Sequence, residues 1–257
     1  MSGGALLCVR DLHHWFGGLH VINGVEFNCE SGAIRAVIGP NGAGKTTLFN
    51  LVAGTLCPTS GAIELQGKPI QGLPPHKIAA LGISRTFQST RLFPGMTVLE
   101  NVMVGHHLAE HGGFLRDMGG RLFNSRQENR MRRQCMEILD GLGVADLAEQ
   151  QARDLPFGRQ RVVELARALA SGPRLLLLDE PACGLNPSET EEMALRIAGL
   201  RGRGVTVLIV EHDMSLVMGI SDRVVVLSYG RVIAEGTPRE VQANDEVVSV
   251  YLGAGDA

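Results

Sequence analysis

The segment at 39–47 combines glycines, a lysine and two threonines at a spacing suited to binding phosphate. It reads Gly39, Pro40, Asn41, Gly42, Ala43, Gly44, Lys45, Thr46 and Thr47. Glycines let successive backbone N–H groups turn towards phosphate oxygens, and the N-terminus of a following helix adds partial positive charge. Lys45 would supply a full charge to the β- and γ-phosphates, and the Thr46 hydroxyl would ligate Mg²⁺. Because an apolar strand-like run precedes this loop and a helical pattern follows it, the segment predicts a nucleotide cradle.

Two carboxylates, Asp179 and Glu180, end the apolar run at 175–178. Ligands of open α/β sheets bind at the carboxyl ends of strands. Asp179 is therefore predicted to hold Mg²⁺, directly or through a water, and Glu180 to orient or deprotonate an attacking water. A single acid at a strand end is commonly just solvated, but the cradle upstream favours the catalytic interpretation.

A histidine follows a third apolar run, at 205–210, in the sequence Glu211-His212-Asp213. A strand-end histidine is more often structural when it stands alone. At the same predicted sheet edge as the cradle, His212 is able to donate a hydrogen bond to a γ-phosphate. We therefore include His212 among the candidate site residues.

The elements that must position these residues follow an α/β pattern. Continuously apolar runs at 175–178 and 205–210 predict strands covered on both faces, as in parallel sheets. Alternating segments between Leu7 and Phe27 and at 62–65 predict antiparallel strands with one solvated face. The sequence therefore predicts a single α/β domain over 1–257 with a mostly parallel core sheet, an antiparallel β subdomain and a charged helical subdomain inserted at about 97–158.

Composition narrows the class of protein. A net charge of −3, a pI near 6.2 and an aromatic content of 4% argue against nucleic acid as a partner. No apolar run approaches the roughly 20 residues of a membrane span, no signal peptide is recognisable, and five scattered cysteines suggest reduced thiols. We expect a soluble, cytosolic chain, held at a membrane only by a partner.

The motifs resemble those of ATP-binding cassette (ABC) ATPases, in order and across nearly the whole chain. GPNGAGKTT is similar to the Walker A loop, LLLLDEP to Walker B and His212 to the switch histidine. Gln88 resembles the Q-loop glutamine, which implies catalytic and Mg²⁺-ligating roles. Phe16 resembles the aromatic residue that stacks on adenine, and Trp15 is the second choice for that role. The D-loop position is occupied by Cys183, Gly184, Leu185 and Asn186.

The signature loop of the family is matched by Pro156, Phe157, Gly158, Arg159 and Gln160. In ABC dimers this loop faces the ATP held by the opposite subunit, which implies a second ATPase subunit as partner. The match is imperfect: Pro156 stands for the usual serine, Phe157 for the first glycine and Arg159 for the glutamine, while Asn186 replaces the D-loop aspartate. Two interpretations stay open, a weakened half-site or a working variant, and we favour the variant.

Segments outside these motifs resemble the LivG-type ATPase of branched-chain amino acid importers. They include FGGLHVINGV, RTFQSTRLFPGMTVLENVMVGHH, GLNPSET and the closing VYLG. The resemblance implies ATP and Mg²⁺ as cofactors, a partner ATPase that is a different chain, two membrane permeases, and an extracytoplasmic binding protein acting indirectly. It also implies a peripheral location at the cytoplasmic face of the membrane. Urea or amide importers share much of the pattern, so the ATPase subunit of such an importer, or of another amino acid importer, is the alternative. A soluble non-transport ABC ATPase is less favoured.

We do not interpret two other groups of side chains, three histidines and a run of arginines, as functional sites. His106, His107 and His111 lack additional ligands at a metal-binding spacing. The basic run containing Arg126, Arg130, Arg132 and Arg133 is typical of a solvated helix face.

Overall fold

The computed structural model describes residues 4–86, 92–110 and 125–252, with side chains at 107–110, 125–127 and 252 outside the description. The chain divides into two compact units. The first comprises Met1–Ile78 with Leu177–Ala257, and the second comprises Ala79–Leu176. Gln88 and the glycine-rich segment at 111–123, predicted to be a loop, lie outside the described residues.

The described chain alternates strands and helices. The strands are β1 (Ala5–Phe16), β2 (Leu19–Glu30), β3 (Ile34–Ile38), β4 (Ser60–Leu65), β5 (Lys68–Pro69), β6 (Ile83–Arg85), β7 (Leu175–Asp179), β8 (Thr206–Val210), β9 (Arg223–Ser228) and β10 (Arg231–Gly236). The helices are α1 (Lys45–Val52), α2 (Pro75–Ala80), α3 (Val98–Glu110), α4 (Ser125–Gly141), α5 (Phe157–Ala170), α6 (Pro187–Gly199), α7 (Met214–Ile220), α8 (Pro238–Gln242) and α9 (Asp245–Leu252).

The core sheet of the first unit has the strand order β10-β9-β3-β8-β7. β3 pairs in parallel with both β8 and β9, and β10 closes the edge antiparallel to β9. Every residue of β3, β7 and β8 is buried, as continuously apolar runs require when helices cover both faces of a sheet. The predicted core strands are therefore present where the sequence placed them.

A second sheet in the first unit is antiparallel, with the order β2-β1-β4-β5. Val25, Phe27 and Cys29 on β2 are buried while the residues between them are exposed, which is the alternation expected of a sheet with one wet face. Burial raises the pKa of the Cys29 thiol to about 12, so this cysteine behaves as a core residue. The predicted antiparallel subdomain is thus observed.

Helices dominate the second unit. On α4, Met131, Cys135 and Leu139 recur at helical spacing and are buried, whereas Arg132 and Arg133 are exposed. A Cβ at Gly105 of α3 would overlap the carbonyl oxygen of Arg167 on α5, so the glycine permits these two helices to approach closely. Helices α3 and α4 lie within the helical subdomain predicted at about 97–158, and the bounds of that subdomain stay a prediction.

One buried asparagine fixes the chain that leads into α3. The Asn101 side chain accepts a hydrogen bond from the Phe93 amide at 2.8 Å and donates to the carbonyls of Phe93, Met96 and Thr97. Thr97 and Glu100 add reciprocal side chain-to-amide bonds of a capping box at the same helix start. The loop at 93–97 is therefore held by polar contacts and needs little apolar burial.

Within the part of the chain that the structure describes, none of the helices combines the length and apolar composition needed to cross a bilayer.

Replacing Asn101 tests how the 93–97 loop is held. Asn101→Ala is expected to lower the free energy of unfolding by about 1–3 kcal/mol, because buried backbone groups lose their partners. Urea titration measures this change. Asn129→Ala, at an exposed position of α4, serves as the control and is expected to stay near wild type. Equal stability of the two variants would contradict this account of the loop.

Candidate functional site

The cradle at 39–47 joins β3 to α1 through a backbone that requires glycine. Gly39 has a φ of 151° and Gly44, the residue capping α1, has a φ of 102°. A Cβ on Gly39 would overlap the carbonyl oxygen of Leu227 on the neighbouring strand β9. The cradle is therefore packed backbone against backbone on the core sheet, and no larger residue fits at its first position.

The tip of the cradle faces open space. Gly42 has a φ of 79°, and a Cβ added there would meet nothing within 4 Å. Asn41, Gly42 and Thr46 are exposed, while Pro40 and Thr47 are half-buried and Ala43 is buried. Exposed amides at the start of an eight-residue helix suit an anion such as a phosphate, so the residues present fit the predicted ligand.

Lys45 lies at the base of the cradle with only 9% of its surface exposed. Its ammonium donates hydrogen bonds to the carbonyls of Gly39 at 2.6 Å and Pro40 at 2.9 Å. Burial lowers the pKa of Lys45, and the negative charge of Glu180 opposes that shift. The negative charge of Glu180 therefore acts on the cradle lysine.

The acids at the end of β7 are held in different ways. Asp179 is 2% exposed and is the last residue of the strand. Glu180 is half-buried, adopts a φ of 48°, and donates its backbone N–H to the carbonyl of Val210 at 2.9 Å. A positive φ is uncommon outside glycine and is tolerated where the surroundings over-determine it, as at functional sites.

The residues after β8 include a carboxylate that sequence analysis overlooked. Glu211 is 1% exposed and accepts backbone hydrogen bonds from Ala182 at 2.8 Å, His212 at 3.0 Å and Asp213 at 3.4 Å. Burial raises the pKa of Glu211, and these three amides and the His212 charge oppose the rise. The signal was readable, since an acid directly after a fully buried strand must find internal partners.

The His212 side chain is 64% exposed, and its Nδ1 lies 3.7 Å from the Glu211 carboxylate. The imidazole is therefore accessible to solvent at the end of the core sheet that carries the cradle. A separation of 3.7 Å is too long for a hydrogen bond, so Glu211 does not fix the orientation of the ring.

The D-loop residues form a tight turn after β7. The Cys183 amide donates to the Glu180 carbonyl at 3.1 Å, and the Leu185 amide donates to the Ala182 carbonyl at 3.1 Å. Asn186 then caps α6, because its side chain accepts from the Glu189 amide and the Glu189 side chain accepts from the Asn186 amide. Asparagine at this position therefore caps the helix as well as the usual aspartate would, and the replacement keeps the local structure.

The two candidate adenine platforms at the end of β1 are packed differently. Trp15 stacks face to face on His20 with a ring separation of 3.8 Å and is 37% exposed. Phe16 meets His14 edge to face at 4.6 Å and is 49% exposed. Since the face of Trp15 is already covered by His20, Phe16 stays the better candidate for stacking on a base.

The C-terminal helix contributes a second feature that sequence analysis did not use. The hydroxyl of Tyr251 on α9 is buried and has no hydrogen-bond partner among the described residues. Burial raises the pKa of Tyr251, and the backbone of Gly39 acts in the opposite direction. A phenol near the end of the chain therefore lies beside the first residue of the cradle.

The signature-like residues belong to the second unit and open α5. The helix begins at Phe157, one residue after Pro156, so most of the predicted loop is the first helical turn. Gly158 is buried, Phe157 is 44% exposed, and Arg159 and Gln160 are half-buried. The first-turn amides of a helix have no intrahelical acceptors, so this end of α5 presents N–H groups.

Of the remaining histidines considered in the sequence, His106 lies with Nε2 at 3.0 Å from the side chain oxygen of Gln134. The side chain of His107, and the whole of His111, fall outside the described residues.

Known sequences resemble this chain over nearly its whole length. The model of the ABC transporter family matches residues 22–183, and a model described as branched-chain amino acid ATP-binding cassette transporter matches residues 231–257. The high-affinity branched-chain amino acid transport ATP-binding protein BraF of Pseudomonas aeruginosa is 46% identical, over 96% of this chain and 98% of the relative. The corresponding LivG protein of Escherichia coli is 43% identical, over 96% and 98%.

Solved structures agree with the sequence comparison. An ATP-binding cassette of an ABC transporter in its ADP conformation superposes with a TM-score of 0.85 at 29% identity, covering 97% of this chain and 99% of that one. A nucleotide-free cassette gives a TM-score of 0.83 at 28% identity, covering 96% and 99%. The predicted fold class is confirmed, and the chain belongs to the ABC transporter family of ATP-binding cassette proteins.

Proposed function

We propose that this chain is the ATP-hydrolysing subunit of an ABC importer for branched-chain amino acids. The observation that carries the enzymatic part is that the Glu180 amide bonds the Val210 carbonyl at the end of β8, the strand that pairs in parallel with β3, from which the cradle begins. The relatives' printed roles in branched-chain amino acid transport support the cargo.

ATP would lie on the cradle, with its adenine on Phe16 and its phosphates surrounded by the amides of 39–47. Lys45 would turn from the loop carbonyls towards the β- and γ-phosphates. Thr46, Asp179 and Gln88 would hold Mg²⁺, which neutralises charge on the phosphate oxygens when bound.

Hydrolysis would depend on three side chains around the γ-phosphate. Glu180 would accept a proton from the attacking water, His212 would donate a hydrogen bond to the phosphate, and Gln88 would complete the polar environment.

A second ATPase subunit, a different chain, would complete the site. The amides and side chains at 156–160 would face the γ-phosphate held by that partner, and 184–186 would lie along the shared interface. The helical subdomain at about 97–158 would contact two membrane permeases at the cytoplasmic face, while an extracytoplasmic binding protein would act on the complex from the other side.

The cargo is testable in the complete complex with permeases and binding protein in vesicles. ATP hydrolysis is expected to rise severalfold with leucine, isoleucine or valine, and to stay at its basal rate with urea or acetamide. Stimulation by urea or acetamide alone would move the chain to a related importer. Failure of the tagged chain to co-purify with permeases, together with recovery on ribosomes, would refute the transporter role.

Removing the proposed base is expected to stop turnover without preventing binding. Glu180→Gln should lower the ATPase rate by about 10²–10⁴-fold, because proton transfer to a positioned side chain contributes on that scale. Affinity for ATP, measured by isothermal titration, should stay near wild type. Glu192→Gln on the exposed face of α6 is the control and should hydrolyse normally. Near-normal phosphate release by Glu180→Gln would exclude this residue as the base.

Changing the start of α5 distinguishes action on the partner's nucleotide from action on the chain's own. Gly158→Asp places a negative charge among first-turn amides, so the ATPase rate of the complex should fall at least about tenfold, or about 1.4 kcal/mol. ATP affinity of the isolated chain should be unchanged.

Because Gly158 is buried, Arg159→Glu tests the same point at a half-buried position. Gly199→Asp, at an exposed glycine with helical φ at the end of α6, is the control. A large loss of ATP affinity in the isolated chain, with unfolding midpoints preserved, would show that the loop serves the chain's own nucleotide.

A further inference from the structure

The turn that carries Glu180 is attached to the end of β8 at two points. The Glu180 amide donates to the Val210 carbonyl at 2.9 Å, and the Ala182 amide donates to the Glu211 carboxylate at 2.8 Å. Between these two bonds lies the strained residue itself, with a φ of 48°. A conformation of this kind persists only where neighbouring contacts enforce it.

The other oxygen of Glu211 holds a second loop. It accepts from the His212 amide at 3.0 Å and from the Asp213 amide at 3.4 Å. Asp213 in turn caps α7 by accepting from the Leu216 amide at 3.0 Å. One buried carboxylate therefore connects the turn after β7 to the loop after β8. We call this arrangement the Glu211 clamp; it consists of the Glu211 carboxylate and the amides of Ala182, His212 and Asp213.

A gain in the stability of the folded protein does not by itself account for the Glu211 clamp. Glu211 is 1% exposed, and taking a carboxylate out of water carries a desolvation cost that its amide partners largely offset. What the clamp does supply is geometry: charge-assisted hydrogen bonds are directional, and here they hold the backbone of His212 and the backbone of Ala182, two residues after Glu180.

We propose that Glu211 is a positioning residue for ATP hydrolysis, which fixes the backbones of Glu180 and His212 relative to each other. The inference rests on the proposed ATPase function and deepens it. Glu211 touches neither the nucleotide nor the water in this role, and acts only through the two loops that it joins.

The side chain chemistry makes the clamp sensitive to a single atom. In Glu211→Gln one acceptor oxygen becomes an NH₂ group, which would face backbone N–H donors on one of the two loops. The variant keeps its size but loses one half of the clamp. Shortening the side chain in Glu211→Asp keeps both oxygens and the charge but draws them back by one methylene.

The test measures the ATPase of the full complex with the intact chain. Glu211→Gln is expected to lower kcat at least about tenfold while KM for ATP stays within about twofold, since the cradle is untouched. Glu211→Asp should recover part of the rate. Glu235→Gln, which removes the partner of buried Arg35 at 2.6 Å in the same unit, is the matched control and should alter stability without the kcat change.

A double variant separates positioning from simple destabilisation. If Glu211 acts by positioning Glu180 and His212, the rate loss of Glu180→Gln with Glu211→Gln should be clearly smaller than the product of the two single losses, in single-turnover assays. Multiplicative losses in the double variant would overturn the inference. So would a wild-type kcat in Glu211→Gln, or a rise in KM equal to the fall in kcat.

These experiments also distinguish failure of this inference from failure of the proposed ATPase function on which it rests. A wild-type complex without ATPase activity would remove the proposed function, whereas an active wild type with an unaffected Glu211→Gln removes only the clamp. Unfolding midpoints accompany each variant. Should Glu211→Gln fail to fold, Glu211→Asp carries the same test, with a kcat loss at unchanged KM expected and a wild-type kcat contradicting the inference.

Discussion

The close packing of backbone on backbone beneath the cradle is the constraint on which the candidate site depends. Gly39 lies against the Leu227 carbonyl, and Gly230, in the turn that follows, would place a Cβ on the Val21 carbonyl. The Gly230 amide donates to the Ala43 carbonyl at 3.0 Å, and its own carbonyl accepts from the Asn23 amide at 2.8 Å. Packing against the buried sheet therefore fixes the backbone conformation of the cradle, and no side chain is needed to hold its amides in place.

Backbone dipoles, more than ion pairs, compensate the charges buried at this sheet edge. Two carbonyls surround the Lys45 ammonium, and three amides surround the Glu211 carboxylate. A cation compensated by neutral dipoles keeps its net charge, so Lys45 stays able to attract phosphate oxygens. In a strong ion pair, by contrast, the charge of Lys45 would be neutralised within the protein.

Much of this arrangement could be predicted from local sequence. Continuous apolar runs marked β3, β7 and β8, and the strand-end positions of Asp179, Glu180 and His212 followed from them. The capping pair Asn186 and Glu189 is also readable, as an asparagine three residues before a glutamate with proline between.

The rest depends on contacts between segments far apart in the chain. The burial of Glu211 was readable, but its partner on the neighbouring loop, the Ala182 amide, lies 29 residues away and no local pattern identifies it. The positive φ of Glu180 is likewise invisible in sequence, because glutamate has no preference for that region and tertiary bonds impose it. The same holds for Tyr251, whose position beside Gly39 depends on how α9 packs. Strand identity is local information, whereas loop conformation at the sheet edge is not.

The start of α5 gives a physical basis for weighing the two interpretations of the signature loop. Pro156 occupies the N-cap with a ψ of 149°, and the structure records no side-chain cap there; the first bond closing the turn runs from the Gln160 amide to the Pro156 carbonyl at 3.0 Å. A serine at this position would offer its own oxygen to the amides of Gly158 or Arg159. Proline cannot, so these amides stay available to an external anion. The loss of one hydroxyl donor is thus accompanied by the release of amide donors, with Arg159 adding charge nearby. On this reasoning the loop is better interpreted as a working variant than as a weakened half-site.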